Sequence, residues 1–358
     1  MPVRRSILAL VMAGWLAAGL GGAYLYVQRY IDYRGFPRPA TPSGVAKGTV
    51  REVRFHSNVV TRGARYLIYL PPGYAQQAAR GRRFPVLYLL HGVPGTFTVF
   101  TNVAQAQVAA NILIAQHKMP PTILVMPAGL QGTLQGDTEW ANTRAGRWED
   151  FILDVVRDVD HRFATRADRR HRGIAGDSEG AYGAVNIALH HLDAFSVLES
   201  WGGYFTQTPT GVFRGATAAQ LRANSPAAYV DSLAPEIRRS PLHAWLYQGR
   251  TDSADPGLLR SFAAQLHAAG ADVRLGFFPG GHDWGLYRAR TPQMLAAAAR
   301  WFSRPPGRAG FSATGRSLSV AQLQRIQARR HRKCLALHPR PGLKIPRACR
   351  RYRARHQS

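Results

Sequence analysis

Between residues 48 and 303 short apolar runs alternate with segments of helical period. Apolar or β-branched runs lie at 65–71 (RYLIYLP), 85–91 (PVLYLLH), 122–127 (TILVMP), 172–176 (RGIAG), 196–201 (SVLESW), 243–248 (HAWLYQ) and 272–279 (DVRLGFFP). Each is short enough for a strand rather than a buried helix. From Trp148 to Phe163 the apolar residues Phe151, Ile152, Val155, Val156 and Val159 recur on one helical face. Leu258–Leu266 and Met294–Phe302 repeat the pattern. Strands separated by helices predict parallel pairing with crossover helices on both faces of the sheet. The two earliest strands, near 50–56 and 65–71, are close enough in sequence to pair as an antiparallel hairpin. The stretch 203–240 breaks the alternation, as insertions that shape a site's rim do.

Outside this core the pattern changes. Arg4 and Arg5 precede an uncharged run from Ser6 to Val27, long enough to cross about 30 Å of hydrocarbon as a helix. Positive charge on the short N-terminal side predicts a cytoplasmic start and an exported remainder. Residues 1–28 are therefore expected to be a transmembrane signal anchor, with secretion after signal cleavage as the alternative. Residues 29–48, with Pro37, Pro39, Pro42, Gly35 and Gly44, read as a linker. The folded core is placed at 49–304, and 305–358 is read as an Arg-rich C-terminal extension. The formal net charge is +27, and no acidic residue follows Asp283. Such a tail predicts an anionic partner, lipid or wall polymer. Export argues against nucleic acid. Both cysteines, Cys334 and Cys349, lie in this tail, where they are expected to pair. A cysteine nucleophile in the core is excluded.

The candidate chemistry centres on GDSEG at 176–180. It follows the strand ending in Ile174-Ala175 and precedes the helical pattern AYGAVNIALHHL, the setting of a nucleophile elbow. A serine hydroxyl needs a base, and His282 in FFPGGHDWGLY follows the last predicted strand. The acid should follow the preceding strand, where Asp252 is chosen and Asp255 is the fallback. The order Ser178, Asp252, His282 is the one this arrangement requires. The loop HGVPG at 91–95 offers the backbone N–H of Val93 as an oxyanion donor, with that of Glu179 as its partner. His91 reads as a structural hydrogen-bonder. Trp140, Trp201, Tyr204, Phe205 and Trp284 are candidates to line a substrate pocket, with core packing as the alternative. Asp137 and Glu139 lack companions at metal-ligand spacing, so no metal or other cofactor is expected.

These stretches, LIYLPPGY, PVLYLLHGVPG, ILVMPAG, DTEWAN…GRWEDF, GIAGDSEGAYGAVNIAL and PGGHDW, resemble the esterase D and enterochelin-esterase-like branch of the α/β-hydrolases. That branch also holds feruloyl esterases and secreted mycolyltransferases. The resemblance covers roughly 48–303. It implies an α/β-hydrolase fold with a mostly parallel, doubly wound sheet, flanked here by the N-terminal transmembrane helix and the basic tail. It also implies Ser178, Asp252 and His282 as a triad, with oxyanion donors at Val93 and Glu179. The pattern departs at Glu179 and Ala181, where the family carries an apolar residue and a glycine; the Glu179 side chain is expected to face solvent or an arginine. The expected function is a membrane-anchored, extracytoplasmic serine esterase acting on a small-molecule or lipid or glycan ester. The alternatives are an acyltransferase using a sugar or lipid alcohol, and a non-catalytic envelope-binding protein.

Overall fold

In the computed structural model the described residues are 2–60, 63–129 and 137–303. The Arg-rich extension with Cys334 and Cys349 lies outside them.

Eight strands form one sheet: β1 Thr49–Arg54, β2 Arg65–Leu70, β3 Val86–Leu90, β4 Ile123–Pro127, β5 Arg172–Asp177, β6 Val197–Trp201, β7 His243–Gly249 and β8 Asp272–Phe278. Their order is β1-β2-β4-β3-β5-β6-β7-β8. β2 runs antiparallel to β1 and β4, and the remaining pairs are parallel. β3 to β6 are buried along their whole length. This explains why β3 and β4 read as continuous apolar runs rather than alternating ones. β1 is the exposed edge and carries Arg51, Glu52 and Arg54, charges that discourage pairing with another chain.

The main helices are α1 Pro2–Tyr26, α2 Ala106–Ala115, α3 Trp148–Arg162, α4 Glu179–His190, α5 Pro256–Ala269 and α6 Trp284–Phe302. Side chains alternate across the sheet. Leu87, Leu89, Leu124, Met126 and Ala175 join Ala110 and Leu113 of α2 and Leu295 and Phe302 of α6 in one cluster. Tyr88, between the two leucines, points the other way and meets Phe195 edge-on at 6.1 Å. The buried residues of α3, including Phe151, Ile152 and Val155, cover that second face. α6 begins ten residues earlier than the expected Met294, because Asp283 caps it through the Leu286 N–H at 2.9 Å. Pro292 lies inside it, which masks the period in the sequence.

α1 continues through a π-helical turn at Val27–Asp32. Its stretch Leu10–Asp32 has a mean hydropathy of 1.5, and none of the tested window is buried. It is an N-terminal apolar helix of the kind found in signal anchors and signal peptides. The segment 29–48, between α1 and β1, touches the body at several points. Asn111 of α2 donates to the Thr41 hydroxyl at 3.0 Å and accepts from the Gly48 N–H at 2.9 Å. Arg288 of α6 lies over the Phe36 ring, 5.0 Å from its centre. These contacts strap the segment onto the body.

Candidate active site

β5 ends at the nucleophile turn. Ser178 has φ 53° and ψ −119°, a left-handed conformation rare for a residue with a side chain. Tight packing holds it there. A Cβ on Gly180 would lie 2.0 Å from the Leu90 carbonyl oxygen, and one on Gly176 would lie 2.3 Å from that of Gly180. Only glycine lets α4 approach the end of β3 this closely. The Ser178 N–H donates to the Trp201 carbonyl at 3.0 Å, which anchors the turn to β6.

The structure brings the three sequence candidates into a line. His282 Nε2 lies 2.9 Å from Ser178 Oγ, and His282 Nδ1 lies 2.9 Å from Asp252 Oδ2. The Asp252 side chain is 2% exposed and that of His282 is 38% exposed, so the carboxylate is shielded while the imidazole remains reachable. Asp252 Oδ1 also accepts from the Ala254 N–H at 2.9 Å. The fallback Asp255 instead caps α5 through the Gly257 N–H at 2.8 Å. Asp283 accepts from the Gly281 N–H at 2.9 Å and so fixes the turn that carries His282. Gly202, at φ +69°, leaves room for the imidazole; a Cβ there would sit 3.1 Å from two of its ring atoms.

Across from His282, the Gly92 N–H donates to Asp177 Oδ1 at 3.3 Å. The next N–H, that of Val93, donates to no other described group, and neither does that of Glu179, which opens α4 where no intrahelical acceptor exists. Burial pushes the His91 imidazole down to about 4, so this ring stays neutral behind the loop. Burial raises Asp177 to about 7 despite the Gly92 N–H and the charge of Arg34.

The expected orientation of Glu179 is corrected. Its carboxyl faces neither solvent nor an arginine: it is buried, and Oε1 accepts from the N–H and hydroxyl of Thr138 at 2.9 and 2.8 Å. Burial raises its pKa to about 8, outweighing those bonds, and neighbouring Asp137 and Glu139 push the same way. A neutral acid beside the nucleophile removes the repulsion that a carboxylate would impose on a developing oxyanion.

The aromatic candidates divide. Trp140 and Trp201 have no exposed surface, which corrects their assignment to a pocket wall. Trp140 Nε1 donates to the His91 carbonyl at 3.0 Å and its ring packs against Gly183, so it supports the loop at 91–95 from behind. Trp201 meets Phe100 edge-on at 5.7 Å in the core. Phe205 is also buried, stacked on Phe262 at 3.9 Å. Tyr204 remains 36% exposed, stacks on Tyr182 and donates its hydroxyl to Glu139. Trp284 is half-buried over Phe100. The sequence reading passed over Thr138, Gly202 and Arg34. Thr138 lies within DTEWAN, but nothing in that stretch shows which carboxylate it holds.

The strand order, the elbow and the Ser–His–Asp line define an α/β-hydrolase. Residues 57–298 match the esterase family ("Putative esterase"), and the chain belongs to it. An endo-1,4-beta-xylanase/feruloyl esterase of Xylanibacter ruminicola is 31% identical over 157 residues, 43% of this chain and 21% of that protein. An esterase of Mycobacterium tuberculosis is 28% identical over 154 residues, 42% of this chain and 31% of its own length. The chain thus spans a third or less of these curated relatives. Among solved structures, a ferulic acid esterase aligns with TM-score 0.63 at 22% identity, covering 73% of this chain and all of its own. An S-formylglutathione hydrolase from Agrobacterium tumefaciens aligns with TM-score 0.60 at 15% identity, covering 75% and 100%. These likenesses concern the fold.

Proposed function

We propose that the protein hydrolyses a carboxylic ester through an acyl-enzyme on Ser178. The observation that carries this reading is the 2.9 Å and 2.9 Å line from Ser178 Oγ through His282 to Asp252. His282 Nε2 takes the hydroxyl proton as Ser178 Oγ bonds to the carbonyl carbon. The oxyanion is met by the N–H groups of Val93 and Glu179 at the start of α4. His282 then delivers its proton to the departing alkoxide. Water repeats the sequence and frees the acid. Asp252 accepts from Nδ1–H throughout, fixing the tautomer and stabilising the imidazolium. Membership of the esterase family supports the reaction class. Tyr204 and Trp284, which keep exposed surface, are the aromatic side chains placed to meet substrate.

Residues 49–304 form the catalytic domain. α1 serves as an uncleaved membrane anchor with that domain outside the cytoplasm, a reading supported by its length and apolar surface. The basic stretch 305–358 holds the enzyme against anionic lipid or wall polymer. Incubation of purified protein with a p-nitrophenyl ester, with and without a sugar acceptor, tests the reaction. Release of free acid in both cases is expected. Acyl transfer to the sugar as the main product would replace hydrolysis with transferase chemistry, and no turnover of any ester would remove the reading.

A further inference from the structure

The apolar helix and the candidate active site are joined by one arginine. α1 presents Leu10, Trp15 and Leu16 to solvent at 73, 76 and 66% exposure, and its end with the π-helical turn after it carries Tyr24, Tyr26, Arg29 and Tyr30. Tyrosine with arginine at the end of an apolar helix is the composition of a membrane–water interface. Two residues past Asp32 the chain turns sharply at Arg34 (φ 48°) and Gly35 (φ 82°), closed by a bond from the Gly35 N–H to the Arg29 carbonyl. Arg34 Nη2 donates to the Pro94 carbonyl, and its guanidinium carbon lies 5.9 Å from the centre of the Trp284 ring. Pro94 follows Val93, and Trp284 lies two residues after His282. Both loops that flank Ser178 therefore touch one side chain of the segment leaving the apolar helix.

Two residues of extended chain span at most about 7 Å. The contacts of Phe36, Thr41 and Gly48 hold the following segment to the body. With α1 in a bilayer, the rim formed by Pro94 and Trp284 lies at the headgroup layer. We propose that the active-site mouth is held there, and that the enzyme takes its ester from amphiphiles seated in the membrane leaflet that faces the catalytic domain. The proposal rests on the anchor reading given above. Arg34 is a positioning residue in this arrangement: it lies outside the family match at 57–298 and ties this chain's own anchor to the site.

The test moves the domain without touching the site. A ten-residue Gly/Ser insertion between Tyr26 and Val27 leaves the contacts of Arg29 to Gly48 in place and adds a flexible tether of roughly 17 Å. Full-length protein in phosphatidylcholine vesicles is assayed on p-nitrophenyl palmitate carried in the bilayer and on soluble p-nitrophenyl acetate. The insertion is expected to lower kcat/KM for the bilayer-borne ester tenfold or more and to leave that for the soluble ester within twofold. A five-residue insertion should give a smaller loss in the same direction. Equal rates on the bilayer-borne ester for wild type and both insertions would overturn the proposal while leaving the anchor intact. Failure of the wild type to float with vesicles would overturn the anchor reading and the proposal with it. An unchanged melting temperature of the insertion variants shows that a rate loss does not come from unfolding.

Discussion

Two buried carboxyl groups near Ser178, Asp252 and Glu179, have different surroundings. Asp252 is shielded from water but faces an imidazole and a backbone N–H. Glu179 is shielded to a similar degree but faces a threonine hydroxyl and other acids, and burial holds it protonated to about pH 8. Burial alone therefore does not decide what an acid does beside a nucleophile. A partner able to become a cation makes the carboxylate useful, and its absence makes the neutral acid the lower-energy form.

The largest effect should come from the imidazole side. Asp252→Asn is expected to lower kcat by about 10⁴-fold, because the amide no longer selects the productive tautomer; ester turnover at pH 7 measures it. The Glu179 side should respond through stability. Its pKa is about 8 when folded against an ordinary 4.5, so between these values the unfolded chain has released a proton that the native acid retains. Stability therefore falls as pH rises from about 4.5 to about 8 and changes no further above that through this group. Glu179→Gln removes the loss. Its melting temperature should equal that of wild type near pH 4 and exceed it at pH 8, by a few kcal/mol of stability. A smaller catalytic effect accompanies it. Above pH 8 the wild type gains a carboxylate beside the oxyanion and kcat/KM should drop up to about tenfold, while the glutamine variant keeps its rate. A pH–rate profile of the two proteins checks this. The smallest effect belongs to Asp255→Ala, which should cost about 1 kcal/mol as a lost helix cap and leave kcat/KM within about twofold. A large rate loss there would reassign the acid.

The same contrast marks what could be read from the chain. The strands, the elbow and the Ser178, Asp252, His282 order follow from local pattern: buried parallel strands read as apolar runs, and the elbow needs glycine at 176 and 180. The direction of the Glu179 side chain does not follow, because it depends on Thr138, forty-one residues away in sequence. Trp140 and Trp201 could not be sorted from Tyr204 and Trp284 either, since an aromatic residue beside a motif looks the same whether it backs a loop or faces a ligand. The contacts of 29–48 are not legible in its prolines and glycines, because they are made with Asn111 and Arg288 far along the chain.

Ser178 is the reactive nucleophile on which the proposed chemistry turns. Intact-mass measurement after exposure to a fluorophosphonate tests it most directly, on wild type beside Ser178→Ala. One phosphonyl group on wild type, mapped to the peptide carrying Ser178 and absent from the alanine variant, is the expected result. An unlabelled wild type, or a label that persists in the variant, would contradict it.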